Sequence, residues 1–336
     1  YTLSLHDALP ILKVPVDIQD IYIPLRAMLN LTGFDDTKCY SDACEAEKHL
    51  ARHDAALEIP LLDAFAQADK RGRKALVILG DPGSGKTTHL KRMLLWCLRK
   101  GPETMGLPQD MLPVFLPLRE LDAIDIIDKG LDHFIQAQLT SRHLKTHPDF
   151  GKKLMERGNL LFLLDGLDEV ADLAQREQVS KWIEEAFTDY PDCRFVVTCR
   201  FAGYSPSVHL NEKFLEMHVR PLSEKEAESF VRNWYAIVEK GLAKDPEQAE
   251  SIAQEKAENL IERLKQADFR ARRVFELTRN PLLLTNICLV HRHRGTLPQR
   301  RARLYEECID VLLEHWRESK NLNIGINALD GRHALQ

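Results

Sequence analysis

Short apolar runs alternate with longer amphipathic segments through the first two thirds of the chain. The run Ala75-Leu-Val-Ile-Leu79 is continuously apolar, which predicts a strand buried on both faces of a parallel sheet. After it, apolar residues recur at helical spacing from Leu90 to Leu98, and this segment stops at Gly101-Pro102. Four further apolar runs predict strands: Leu112 to Leu118, Leu160 to Leu164, Arg194 to Thr198 and Phe214 to Val219. The stretch Ala174 to Thr188, between the second and third of these runs, predicts a helix.

Strands that alternate with helices of this length require crossover connections, so the pattern predicts a doubly wound, mainly parallel α/β sheet. From Ser223 onward the strands cease and long charged amphipathic helices follow, the first opened by the capping-box sequence Ser223-Glu-Lys-Glu226. An all-helical domain is therefore expected after the sheet. Its predicted helices cover residues 224–240, 246–266, 271–278, 281–293 and 301–319.

The 336 residues exceed the usual size of a single hydrophobic core, so more than one domain is expected. The changes of pattern divide the chain into five parts. Residues 1–11 lack an initiator Met and are interpreted as a non-native tail. The remaining parts are a helical N-terminal linker region at 12–70, a nucleotide-binding domain at 71–222, a helical domain at 223–320, and the truncated start of a following segment at 321–336.

Charge and cysteine usage narrow the class of protein. The chain has 46 Lys and Arg against 51 Asp and Glu, a net charge of -5, so no global positive field attracts nucleic acid or anionic lipid. The local run His291-Arg-His-Arg294 lacks interleaved aromatic residues and is better explained as a solvated helix end. The charge pattern therefore argues against direct binding of nucleic acid. The seven cysteines form no C-x-x-C pair, which predicts reduced thiols in the cytoplasm. No apolar stretch reaches the length of about 20 residues that a membrane-spanning helix needs.

The sequence Gly80-Asp-Pro-Gly-Ser-Gly-Lys-Thr87 fits the phosphate-loop pattern G-x-x-x-x-G-K-[ST] and lies between a predicted strand and a predicted helix. Its glycines allow backbone N–H groups to turn around phosphate oxygens, and the helix N-terminus adds to that field. Lys86 supplies charge to the β- and γ-phosphates, and the Thr87 hydroxyl ligates Mg²⁺. A purely structural glycine turn is the alternative. The predicted nucleotide-binding residues are Gly80, Asp81, Pro82, Gly83, Ser84, Gly85, Lys86, Thr87 and Thr88.

Phosphoryl transfer also needs a carboxylate for the metal and a group that orients water. The run Leu160-Leu-Phe-Leu-Leu-Asp-Gly-Leu-Asp-Glu169 supplies both, because Asp165 stands where a buried strand ends and Asp168 and Glu169 follow one turn later. Asp165 is the predicted metal ligand, and Asp168 is favoured as the base with Glu169 in support. The alternative is that the three acids cap the helix beginning near Asp172.

Together, GDPGSGKTT and LLFLLDGLDE resemble the NACHT branch of the STAND class of P-loop NTPases, and the likeness covers about residues 17–320. The run Val196-Val-Thr-Cys-Arg200 resembles the sensor strand of that family, which implies that Arg200 reaches the γ-phosphate. Asn280-Pro-Leu-Leu-Leu284 is similar to a helical-domain motif whose proline packs on the nucleotide, here Pro281. Asp20-Ile-Tyr-Ile-Pro-Leu25 resembles a stretch of bacterial members that implies an adenine-pocket role for Tyr22.

The resemblance implies a bacterial signalling switch in immune or antiphage defence. In this interpretation ADP holds a closed form, ATP or GTP with Mg²⁺ favours an open form that self-associates, and slow hydrolysis resets it. An N-terminal effector domain and a C-terminal sensor domain, which the family carries, are not recognised in this sequence. Two other functions remain open: a motor or loader of the AAA+ type that acts on nucleic acid, and a nucleotide-binding scaffold with negligible hydrolysis.

Overall fold

The computed structural model describes residues 22–30, 56–120, 130–137, 145–242, 245–271, 274–298 and 300–319. The predicted tail at 1–11 and the segment 321–336 lie outside these residues. The described residues fall into two compact units, one within Pro24–Arg220 and one made of the described residues from Pro221 onward together with Tyr22 and Ile23.

The first unit is built on a seven-stranded sheet with the order β2-β1-β7-β3-β6-β5-β4. Strands β3 to β7 are parallel where they pair, and β1 runs antiparallel to both β2 and β7. The predicted fold class, a doubly wound α/β sheet followed by helices, is therefore confirmed. The strands are β1 Arg26–Asn30, β2 Ala56–Pro60, β3 Ala75–Leu79, β4 Leu112–Pro117, β5 Leu160–Asp165, β6 Arg194–Cys199 and β7 Phe214–Val219.

The prediction that residues 12–70 form a helical linker is wrong for the part that the structure describes. This part contributes β1 and β2, and β1 pairs with β7, so that Ala27 lies opposite Val219. The five-residue segments carry little periodic signal of their own, and β1 pairs with a strand about 190 residues away in the chain, since Met28 lies opposite His218. Only the helix at Ala64–Asp69 agrees with the helical expectation. The sheet consequently extends beyond the predicted domain start at residue 71.

In the described part of this unit, four helices and a further helical segment connect and cover the strands. On one face, Val77, Phe162 and Phe195 pack with Val179 and Ile183 of the helix that follows β5. These side chains are less than 3% exposed, so the strand ends that carry the loops described below are fixed by a close-packed core. The helices are α1 Ala64–Asp69, α2 Lys86–Lys100, α3 Phe150–Arg157 and α4 Leu173–Asp189, with helical residues also at 130–137.

The second unit is helical in its described residues. The predicted capping box is confirmed, because the backbone N–H of Ser223 donates to Glu226 Oε2 at 2.7 Å and the Glu226 N–H donates to Ser223 Oγ at 3.3 Å. Trp234 and Tyr235 are fully buried at its centre. No helix in the described ranges is both long and apolar enough to cross a membrane. The helices are α5 Glu224–Leu242, α6 Pro246–Lys265, α7 Ala267–Ala271, α8 Val274–Leu277, α9 Pro281–Arg294 and α10 Arg301–Ser319.

The basic run at the end of α9 is largely engaged inside this unit. His291 is buried, with its Nδ1 2.7 Å from the Tyr235 hydroxyl, and burial lowers its pKa to about 4, which keeps the imidazole neutral at pH 7. Arg292 Nε lies 2.9 Å from the carboxylate of Glu239, and Arg294 Nε lies 3.2 Å from that of Glu307. The local charge of the run is therefore balanced by neighbouring acids.

Candidate nucleotide-binding site

The phosphate-loop sequence forms the turn between β3 and α2. Gly83 and Gly85 have φ values of 74° and 93°, a left-handed conformation that residues with a Cβ seldom adopt. Gly80 is held close to its neighbours, since an added Cβ would lie 2.7 Å from Ser84 Oγ. The turn delivers the chain directly into the first turn of α2, whose unpaired N–H groups and dipole favour an anion at this end.

Lys86 is the first residue of α2, and its side chain folds back over the loop. Its Nζ donates to the carbonyl oxygens of Gly80 at 2.7 Å and Asp81 at 3.1 Å. Burial lowers the pKa of Lys86, while the negative charges of Asp168 and Asp165 oppose that shift. The ammonium group is thus held inside the loop, where a phosphate oxygen could replace the carbonyl partners. Ser84 and Thr88, also predicted to bind nucleotide, are partly buried in the same loop and helix turn.

Asp165 and Thr87 are in direct contact. The Thr87 hydroxyl donates to Asp165 Oδ1 at 3.1 Å, so the end of β5 meets the first turn of α2. A second hydroxyl, that of Thr198 on β6, donates to the same Oδ1 at 2.8 Å and accepts the N–H of Gly166 at 2.9 Å. Thr198 was not among the predicted site residues. Its role depends on β6 lying between β3 and β5, and strand order is not visible in local sequence.

The oxygens of Thr87 and Asp165 fit a hard divalent cation. Mg²⁺ prefers oxygen ligands, and it is usually bound through one or two protein groups together with waters and substrate phosphates. A carboxylate and a hydroxyl that already touch beside the phosphate loop match that requirement. These two residues could therefore hold Mg²⁺ on the side of the loop that faces β5.

Asp168 and Glu169 lie in a short 3₁₀ turn, Leu167–Glu169, that follows the left-handed Gly166. Asp168 Oδ1 accepts the backbone N–H of Arg200 at 2.9 Å, and its Oδ2 lies 3.0 Å from Arg200 Nε. Glu169 is held more loosely, with Oε1 3.6 Å from Arg200 and Oε2 3.4 Å from Arg119. The Asp168 side chain is 11% exposed and that of Glu169 is 33% exposed, so Glu169 is the more accessible acid.

Asp165, Asp168 and Glu169 do not cap helix α4, which was the alternative explanation for these acids. Asp172 is the N-cap of α4, and its side chain accepts the N–H of Gln175 at 2.8 Å. The three upstream acids instead contact Thr87, Thr198, Arg119 and Arg200. Their carboxylates are engaged by groups of neighbouring elements and not by the N–H groups at the start of α4.

Two predicted nucleotide contacts belong to the helical unit. Pro281 is the first residue of α9, whose N-cap Asn280 accepts the N–H of Leu282 at 3.1 Å. Tyr22 is buried. It also belongs to the helical unit. The expectations that Pro281 packs on the nucleotide and that Tyr22 lines an adenine pocket remain predictions.

Comparison with known proteins yields one family match and several remote structural likenesses. The family model of the NACHT domain matches residues 74–236. An uncharacterised WD repeat-containing protein of Nostoc sp. is 26% identical over 135 residues, which is 39% of this chain and 9% of that relative. The matched segment thus spans under a tenth of the relative's length.

Among solved structures, a Walker-type ATPase of Pyrococcus abyssi aligns over 78% of this chain and 75% of its own, with 12% identity and a TM-score of 0.39. Domain III of the Thermotoga maritima replication initiation protein DnaA aligns over 75% and 89%, with 15% identity and a TM-score of 0.37. Drosophila ORC bound to DNA aligns over 76% and 64%, with 14% identity and a TM-score of 0.39.

Proposed function

Residues 74–236 form a NACHT domain, a domain of the P-loop nucleoside triphosphatases, and from this premise we propose that the chain binds and slowly hydrolyses ATP or GTP to operate a signalling switch. The observation that carries the proposal is the contact of Asp165 with Thr87, because it places a carboxylate beside the first turn of the phosphate-loop helix. That arrangement suits a magnesium-bound triphosphate rather than a structural turn.

In the proposed mechanism, backbone N–H groups of the loop receive the phosphate oxygens and Lys86 supplies a positive charge to them. Lys86 then exchanges its bonds to the Gly80 and Asp81 carbonyls for phosphate oxygens. Thr87 and Asp165 would hold Mg²⁺, which when bound neutralises charge on the transferring phosphoryl group. Thr198 keeps the Asp165 carboxylate oriented through its 2.8 Å hydrogen bond.

The two remaining acids have different roles in this proposal. Asp168 was favoured as the base from the sequence, but both of its oxygens are engaged by Arg200, one through the backbone N–H and one through Nε. Glu169 makes only longer ion pairs and is three times as exposed. We therefore assign the orientation of the attacking water to Glu169 and the holding of Arg200 to Asp168.

Arg200 provides the link from nucleotide state to conformation. Its side chain is 46% exposed while its backbone N–H is anchored by Asp168, so the side chain can reorient without moving the strand end. Only a triphosphate offers a γ-phosphate to this group. Exchange of ADP for ATP would thus redirect Arg200 from its carboxylate partners to the γ-phosphate, and in the proposed switch this change favours self-association.

The NACHT domain and the resemblance described above suggest signalling in bacterial immune or antiphage defence, in the cytoplasm. The Nostoc relative carries WD repeats by its name, and repeats of that kind are suited to sensing a ligand. We propose that the switch is attached to a sensor of this type and to an effector domain that delivers the signal.

Two other functions make different demands on the same site. A motor or loader that acts on nucleic acid would need turnover stimulated by DNA and exposed cationic surface, whereas Arg292 and Arg294 pair with Glu239 and Glu307. A scaffold without hydrolysis would not need an accessible carboxylate, such as that of Glu169, in addition to a metal ligand. The switch accounts for both features.

The proposed function is tested by steady-state hydrolysis and by particle mass under matched conditions. We expect slow Mg²⁺-dependent ATP hydrolysis that duplex and single-stranded DNA leave unchanged, and a larger sedimenting species with ATP than with ADP. DNA stimulation of ten-fold or more would favour a motor instead. Tight ATP binding with no release of phosphate would favour the scaffold, and equal mass in both nucleotides would contradict the self-association step.

A further inference from the structure

Arg176 on α4 contacts three backbone carbonyls from two different loops. Its NH2 nitrogen donates to the carbonyl oxygens of Asp168 at 3.0 Å and Val170 at 3.2 Å, and its NH1 nitrogen donates to that of Gly203 at 3.4 Å. The first two belong to the acidic turn after β5, and the third belongs to the turn after β6 that begins at Arg200. One half-buried guanidinium therefore joins the loop of the acids to the loop of Arg200.

The position of Arg176 within its helix is electrostatically unfavourable by itself. Its N–H bonds to the carbonyl of Asp172, the N-cap, so the cation lies at the positive end of the α4 dipole. Three carbonyl partners offset that cost, since hydrogen bonds from a charged donor are stronger than neutral ones. The hydrogen bonds to the two loops thus explain why a cation is placed at this end of α4.

A second feature holds the same two loops together without involving Arg176. Gly203 approaches Asp168 so closely that an added Cβ would collide with the Asp168 Cβ and lie 3.3 Å from its Cα. The backbone N–H of Arg200 is at the same time held by the Asp168 carboxylate at 2.9 Å. The two loops are therefore packed directly against each other at Asp168 and Gly203, with no room for a side chain at position 203.

We propose that Arg176 is a positioning residue that clamps the acidic turn and the Arg200 turn into one body, so that Glu169 and Arg200 keep a fixed spacing around the γ-phosphate. This inference rests on the proposed function. Arg176 contacts neither the phosphate loop nor the Asp165–Thr87 pair in any of its hydrogen bonds to the described residues. Its removal should therefore act on recognition of the γ-phosphate and leave recognition of ADP intact.

The test compares Arg176→Met and Arg176→Lys with Lys181→Met, an exposed residue on the same helix. Calorimetry gives the affinities for ADP and for a non-hydrolysable ATP analogue, and single-turnover assays give the hydrolysis rate. We expect Arg176→Met to lower the hydrolysis rate about ten-fold or more, and to reduce the preference for the ATP analogue over ADP, with ADP affinity within about two-fold of the parent. Arg176→Lys should recover part of both, and Lys181→Met should match the parent.

A double-mutant cycle with Arg200→Ala separates positioning from general support of the fold. If Arg176 acts through Arg200, its substitution should have little further effect on the ATP-to-ADP preference once Arg200 is gone. Gly203→Ala, which forces the same two loops apart, should reproduce the defect of Arg176→Met. Additive effects in the cycle, or an equal loss of ADP and ATP affinity, would overturn the proposal.

The affinity ratio also separates this proposal from the proposed function. If the parent protein binds ATP but never hydrolyses it, the switch mechanism fails, yet the cycle still reports whether Arg176 acts through Arg200. If the parent hydrolyses ATP and the cycle is additive, the clamp alone fails. Thermal unfolding of each variant without nucleotide completes the comparison, because a mainly structural role for Arg176 would lower the melting temperature and all nucleotide affinities together.

Discussion

Glu169→Gln is expected to slow single-turnover ATP hydrolysis by about 10²–10⁴ while ATP binding stays close to that of the parent. The amide keeps the shape of the side chain but cannot take up a proton or hold the attacking water as strongly. Asp165 and Thr87 are untouched by the change, so the metal site should remain filled. The variant should accordingly retain ATP and, in the proposed switch, accumulate as the self-associated form.

Asp168→Asn is the matched comparison, because it makes the same chemical change one residue earlier. Its amide nitrogen cannot accept from Arg200, so it disturbs the anchoring of Arg200 at Nε or at the backbone N–H. We expect a smaller loss of rate than in Glu169→Gln and a weaker preference for ATP over ADP. A full hydrolysis rate in Glu169→Gln with a lost rate in Asp168→Asn would reverse the two assignments.

Lys86→Ala is expected to weaken ATP binding by about 30-fold or more. Removing one member of a partly buried charge pair costs roughly 2–5 kcal/mol, and the lower end of that range already corresponds to this factor. ADP should be affected too, because the β-phosphate also lies within reach of this group in the proposed mode of binding. Isothermal calorimetry with each nucleotide in Mg²⁺ measures both losses.

Lys100→Ala serves as the control for this variant. Lys100 is exposed at the opposite end of the same helix, roughly 20 Å from Lys86 at the usual rise per residue. Its removal changes the net charge equally but leaves the loop intact, so its nucleotide affinities should equal those of the parent. Unchanged ATP affinity in Lys86→Ala would remove the phosphate-loop assignment.

Much of the fold could be predicted because the decisive signals are local. The continuous apolar run of β3 and the runs of β5 and β6 are buried on both faces, and such strands need no knowledge of their partners to be recognised. The capping box at Ser223 is likewise complete within four residues. In the helical unit, the predicted segments at 281–293 and 301–319 correspond closely to α9 and α10.

The features that escaped prediction depend on contacts between distant parts of the chain. β1 and β2 are short, and β1 is stabilised by pairing with β7, far along the sequence. Thr198 gains its contact with Asp165 from the order of the strands, and Arg176 gains its contacts with the acidic turn from the course of α4. The proposed roles of Asp168 and Glu169 could not be predicted from their order, because they rest on which side chain contacts Arg200 more closely.

The central claim is that the phosphate loop and Asp165 form one magnesium-dependent nucleotide site, and Asp165→Asn tests it most directly. ATP affinity should be measured by calorimetry in Mg²⁺ and in EDTA, for the parent and the variant, beside single-turnover hydrolysis. We expect the variant to lose about ten-fold or more of the affinity gained from Mg²⁺, to match the parent in EDTA, and to lose hydrolysis in parallel. A variant that hydrolyses ATP at the parent rate with the parent's Mg²⁺ dependence would contradict the account.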